Sequence, residues 1–317
     1  MSNLPKEVLI QEKGPSEAFA AQTTAAADTV RLIEALGRAG VRHIQVCPFA
    51  GPRAKSGGAD SDAVVASFRP KPWATYTATW SDMAGLERAL RFGRKLSLSA
   101  AITLSAARAF TRAKLSRNHT EHLVRSRNYA VQQMQRGVPV TRAHITDAFG
   151  CDTQGDITPE QVIATVDDAM LVAAEAGGSV ITICLTDPTG WATPVRVERA
   201  VGAVRDRWPG HIVSLQLHDT RGLAVANAHS ALKMGVGRFG SAIGGIGQAP
   251  PAAGRSGDDS LCTEELVLLC EELGIRTGID LDALIAVGRL AETILGRPLP
   301  SRLIRTRSLG ALRRKAA

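Results

Sequence analysis

The chain has 317 residues, a formal net charge of +8 and only 4% aromatic residues. That length suits one α/β barrel of about 250 residues with extensions, large enough to bury a core without disulfides or structural metal. Its cysteines, Cys47, Cys151, Cys184, Cys262 and Cys270, are scattered and form no Cys-x-x-Cys pair, which argues against a disulfide framework or a zinc finger and for a reducing, cytoplasmic setting.

The opening MSNLPKEVLI lacks a basic start followed by a long apolar run, so no signal peptide is expected. No run of eighteen apolar residues occurs, so no membrane span is expected. Outside the arginine-rich segment 302–317, basic residues are dispersed and not interleaved with aromatics, a pattern that does not suit nucleic-acid stacking. Anionic metabolites remain compatible with the positive charge.

Short β-branched runs alternate with longer stretches of helical period. In chain order the runs are 8–14, 43–49, 75–80, 97–103, 140–150, 180–187, 213–219 and 238–245. Helical patterns lie between them, at 29–40, 119–137 and 158–177 among others. The last opens on Thr158-Pro159, a cap before a first-turn proline, and closes on Gly177-Gly178.

Eight strand–helix units predict a (β/α)₈ TIM barrel, with the pattern at 272–295 adding a C-terminal helical extension. A doubly wound sheet competes less well, because no Gly-x-Gly-x-x-Gly follows the first strand. Residues 1–300 read as one domain and 301–317 as a basic, solvated tail. The segment 245–260 is too long and too rich in Gly and Pro for an ordinary connection, which marks it as functional or disordered.

Barrel chemistry sits at the C-terminal ends of strands. Those positions hold Gly14-Pro15-Ser16-Glu17, then Gln45 and Cys47, then Thr146-Asp147 with Cys151 following. Further along come Asp187 before Pro188-Thr189-Gly190, then Gln216, His218 and Asp219, then Asp258 and Asp259. Gln216 and His218 alternate along one strand and so share a face. Glu17, His218 and Asp258 together form an oxygen-rich set with one imidazole, which suits Mg²⁺ or Mn²⁺ better than zinc. A hydrogen-bonded structural histidine is the competing reading of His218. Asp219 points the other way and is expected to cap the next helix.

Several segments resemble the 3-hydroxy-3-methylglutaryl-CoA lyase family of metal-dependent barrel lyases. They are Gly14-Pro15, ITDAFGCDTQGDITPEQV (145–162), LTDPTGWATP (185–194) and the long stretch from His218 to Asp282. The last matches nearly residue for residue, with a small insertion around Asp259-Ser260. The resemblance implies a divalent ion that activates the substrate hydroxyl, cleavage of a carbon–carbon bond, and an acyl-CoA enolate to be stabilised. A CoA-thioester substrate and a homodimer follow as expectations, with Arg112 and Arg255 as candidate contacts to a CoA phosphate.

Carried onto this sequence, the family pattern departs at six positions. Ser16 stands where the family has an arginine resembling an enolate stabiliser, and Glu17 where it has a metal-binding aspartate. Gln45 replaces a glutamate, Gln216 a histidine and Ala249 a reactive cysteine, while Asp258 matches a metal-binding asparagine. The resulting assignments are Glu17, Gln216, His218 and Asp258 for the metal, and His218, Asp187 and Ser16 for catalysis. Gln45, Gly247 and Gln248 are assigned to substrate. His218 titrates near neutrality unaided, whereas Asp187 is either a positioning acceptor or a holder of its own turn. Three functions stay open: cleavage of a different hydroxyacyl substrate, the 3-hydroxy-3-methylglutaryl-CoA reaction itself, and a non-catalytic relative.

Overall fold

The computed structural model describes residues 4–21, 24–50, 61–108, 118–247 and 259–316. The strands that follow the barrel pattern are β1 (Leu9–Glu12), β2 (His43–Phe49), β3 (Thr75–Trp80), β4 (Ala100–Ser105), β5 (Val140–Thr146), β6 (Thr182–Asp187), β7 (Ile212–Leu217) and β8 (Arg238–Ser241). The helices described are α1 (Gly14–Ala21), α2 (Ala26–Arg38), α3 (Ser61–Ser67), α4 (Met83–Leu90), α5 (His119–Gln135), α6 (Pro159–Glu175), α7 (Pro194–Arg207), α8 (Ala224–Lys233), α9 (Thr263–Glu272), α10 (Leu281–Leu295) and α11 (Leu309–Ala316). Some elements escaped the sequence pattern, among them α11, which lies in the segment read as a solvated tail. The eight-residue α1 starts immediately after β1, and a short antiparallel hairpin pairs Gly150–Cys151 with Gly155–Asp156.

Two compact units divide the chain: Leu98–Arg238 with Met1–Pro5, and Lys6–Ser97 with Phe239–Ala317. In the first, the strand order is β7-β6-β5-β4, all parallel. Alternation explains its layers. Ile145, Ile183, Leu185 and Leu215 are fully buried on the side where Val162, Val166, Val197 and Val201 of α6 and α7 are buried too. Each such side chain contributes about 1.5–3 kcal/mol by leaving water. Thr158 and Gln161 form a reciprocal capping box at the helix start that the sequence indicated, and Thr193 caps α7 before Pro194.

The second unit orders its strands β3-β2-β1-β8. β2 pairs in parallel with both β1 and β3, with a register shift between Gln45 and Cys47. That bulge breaks the alternation that would have put both side chains on one face. Gln45 stays half-buried, while Cys47 is fully buried with its thiol toward the Ser61 carbonyl. The basic segment beyond residue 301 is engaged in this unit: Arg313 forms a two-bond pair with Glu272 at 2.8 and 2.9 Å, and Arg305 meets Glu292 at 3.0 Å.

Candidate active site

In the first unit, the face of β4–β7 turned away from the helices carries Ser105, His144, Thr146, Cys184, Thr186, Ser214 and Gln216, by alternation with the apolar residues above. Barrel strands usually present branched apolar side chains there. Hydroxyls, an imidazole, a thiol and an amide instead make this a face for a polar ligand. His144 Nε2 lies 2.6 Å from Thr186 Oγ1, and Thr186 stands opposite Gln216 in register. His144 was missed by the sequence reading because one mid-strand histidine carries no motif.

At the C-terminal end of β7, Gln216 and His218 are both buried, at 8% and 7% exposure. Asp219 accepts the Ala224 amide at 2.8 Å, at the start of α8. Asp187 is fully buried at the end of β6, where its two oxygens accept the Trp191 and Ala192 amides at 2.7 Å each. Both oxygens are thus spent on holding the turn after β6. Burial pushes this carboxyl up to about 6, against the lowering effect of those amides. Arg221, from the same HDTRG stretch, donates to the carbonyls of Thr189 and Gly190 and lies over the Trp191 ring. Cys151 is buried with its sulfur 3.1 Å from Thr153 Oγ1. A cavity of about 350 Å³ opens elsewhere, lined by Phe149, Asp156, Thr193 and Arg196 among others, and holds none of the expected site residues.

The second unit builds the other group of expected residues. Ser16 and Glu17 lie in the first turn of α1 and are buried, at 4% and 2% exposure. Ser260 Oγ donates to Glu17 Oε2 at 3.0 Å. Burial raises Glu17 from its ordinary range, partly offset by the charge of Lys13 and by the Ser260 bond. Gly247 is buried, whereas Gln248, Ala249, Asp258, Arg112 and Arg255 fall outside the described residues. Ser260 was not singled out in the sequence. The available signal was the small insertion around Asp259-Ser260, where this sequence departs from the family pattern.

Beneath Glu17 lies a network of buried acids. Glu12, fully buried, accepts the Gly14 amide at 2.7 Å and the Ile243 amide at 2.8 Å, and also the Thr263 hydroxyl. Glu264 accepts the Gly244 amide at 2.9 and 3.0 Å. Burial raises Glu12 to about 7 and Glu264 to about 8. These carboxyls tie the Gly14 turn and the segment after β8 together. Gly14 has no room for a side chain, since a Cβ would lie 2.5 Å from Ile243 Cγ2 and 2.6 Å from Glu12 Oε1.

The sequence model of the HMGL-like family matches residues 17–291, so the chain belongs to that family. It is 32% identical to the hydroxymethylglutaryl-CoA lyase YngG of Bacillus subtilis over 302 residues, spanning 94% of this chain and 96% of the relative. It is 34% identical to the (R)-citramalyl-CoA lyase of Chloroflexus aurantiacus over 282 residues, spanning 87% of this chain and 86% of that one. The crystal structure of hydroxymethylglutaryl-CoA lyase from Pseudomonas aeruginosa superimposes with a TM-score of 0.84 at 30% identity, covering 99% of each chain. The fold class is therefore the TIM barrel, and the chain is a carbon–carbon lyase of the HMGL-like type. Divalent-metal dependence is general in this family. No helix among the described residues is long and apolar enough to cross a membrane.

Proposed function

We propose that the chain cleaves a 3-hydroxyacyl-CoA other than 3-hydroxy-3-methylglutaryl-CoA, in a retro-aldol or retro-Claisen step assisted by Mg²⁺ or Mn²⁺. The observation that carries the reading is Glu17, a carboxylate at 2% exposure with a serine hydroxyl as its hydrogen-bond donor. Burial raises this carboxyl, so its ionised, metal-binding form is the one that an added cation would stabilise most. The donor types of Glu17, Gln216, His218 and Asp258 are mostly oxygen, which fits a hard divalent ion. When bound, that ion supplies Lewis acidity to the substrate hydroxyl and carbonyl.

The remaining roles belong to the chain itself. Ser16 offers the thioester oxygen a neutral hydrogen bond where a cation would be stronger, and Gln45, Gly247 and Gln248 orient the acyl group. Asp187 holds the turn after β6. His218 is a candidate for both metal binding and proton transfer, and a nitrogen lone pair serves only one of these at a time. Assigned to the metal, it leaves proton transfer to another group. A substrate other than 3-hydroxy-3-methylglutaryl-CoA is favoured by two amides, Gln45 and Gln216, which neither accept nor carry a proton near neutral pH. The reading extends to a homodimer in the cytoplasm.

The test is a panel of 3-hydroxyacyl-CoA thioesters and 2-oxo-acid aldols assayed with Mg²⁺ and with Mn²⁺. Cleavage of at least one at tenfold or more the efficiency on 3-hydroxy-3-methylglutaryl-CoA is expected. A chain that cleaves none, and whose melting temperature neither ion raises, overturns the proposal.

A further inference from the structure

Asp147 is the sole non-glycine residue with positive φ among the described residues, at 54°. Left-handed backbone is disfavoured for residues with a Cβ, although aspartate tolerates it better than most, and such strain gathers at functional sites. Its effect here is directional. Along β5, Ile145 faces the helices and His144 and Thr146 face away, so continued alternation would point Asp147 into the apolar layer. The left-handed turn brings its carboxylate back to the polar face, where Oδ2 accepts Ser105 Oγ at 2.6 Å and Thr146 Oγ1 at 3.1 Å.

The side chain is 3% exposed, and Oδ1 meets no hydrogen-bond donor among the described residues. The turn itself does not need this carboxylate. Its backbone bonds, Gly150 N–H to the Asp147 carbonyl at 3.3 Å and Ala148 N–H to the Thr186 carbonyl at 3.1 Å, are made without it. A strained backbone therefore holds one buried carboxylate oxygen fast and leaves the other for something else, at the C-terminal end of a barrel strand.

We propose that Asp147 is the catalytic base of the cleavage, an inference that rests on the lyase function proposed above. Oδ1 takes the proton of the substrate 3-hydroxyl, and the O–H electron pair becomes the new carbonyl π bond. The C2–C3 bond breaks, and its pair passes to C2 as the thioester enolate. The proton held on Asp147 then moves to C2. The products are a carbonyl compound and a shortened acyl-CoA, with the carboxylate regenerated and no co-reactant consumed.

Asp147→Gly is the incisive variant, because glycine adopts φ near 54° without steric cost. On the substrate identified by the panel, kcat should fall 10²- to 10⁴-fold, the usual contribution of a general base, with KM changed less than threefold. Added formate should restore at least tenfold of that loss, and Asp147→Asn, equally able to sit in the left-handed region, should be as slow as Asp147→Gly. Wild-type cleavage with Asp147→Asn within threefold of it overturns the assignment alone. So does a slow Asp147→Gly that formate does not rescue while its melting temperature is unchanged. A wild type inactive on every panel member overturns the lyase reading as well.

Discussion

Glu12→Gln tests whether a buried carboxyl, neutral when the protein folds, organises the floor beneath Glu17. The amide is the same size, and its oxygen can still accept the Gly14 and Ile243 amides that Glu12 Oε1 accepts now. Its NH₂ would then donate to Thr263 Oγ1, which can turn its own proton toward Ser241 Oγ, 2.7 Å away. The hydrogen bonds survive, so the substitution isolates the charge. Burial raises Glu12 from 4.5 to about 7, worth roughly 3 kcal/mol at about 1.4 kcal/mol per pH unit. Because the folded state binds this proton more tightly than the unfolded chain, the stabilisation is full below pH 4.5 and is lost as pH rises to about 7. Wild type should therefore lose stability across that window that Glu12→Gln keeps, and the gap between their melting temperatures should move by several degrees in favour of the variant between pH 4.5 and pH 8. Differential scanning calorimetry at the two pH values measures this. A gap constant within one degree would rule out a carboxyl at Glu12 whose proton the fold holds. Glu12→Ala, by contrast, strands three donors at about 1–3 kcal/mol each and should be strongly destabilised at both pH values.

Glu17→Gln should abolish the rise in melting temperature produced by Mn²⁺ without lowering the metal-free melting temperature by more than a few degrees, and fluorimetric thermal shift reads both. Asp187→Asn retains one acceptor for two amides, so it should cost about 1–3 kcal/mol in chemical denaturation. Its wild-type carboxyl, raised from 3.8 to about 6, also makes the cost shrink as pH rises through that interval, since the wild-type stabilisation is lost there. Gly150→Ala places a Cβ 2.2 Å from Trp191 Cδ1 at a φ of 143°, which should displace the indole and break its 2.8 Å bond to Asp156. A loss of roughly 2 kcal/mol or more with a shifted tryptophan emission is expected, and unchanged emission would contradict the packing described.

The features legible in the residues alone are local in origin. Strand alternation and caps are interactions within a few residues, so β2 and β3 fall where the β-branched runs lie, α6 begins behind Thr158, and Asp219 meets the start of α8. Glycine and proline marked the ends of several of these elements for the same reason. Family likeness then pointed to the first-strand carboxylate and to the unusual amides at Gln45 and Gln216. What those groups touch is set by packing between distant segments. Glu12 reaches Ile243 across 231 positions and Glu17 is met by Ser260 across 243, distances at which periodicity carries no information. The orientation of Asp147 was equally hidden, because it depends on a backbone turn against the rule of alternation, stabilised by a hydroxyl on the neighbouring strand. Burial raises the carboxyls of Glu12, Glu17 and Asp187, and burial is a property of the packed chain: the same glutamate at the end of an apolar run is an ordinary acid until a core closes over it.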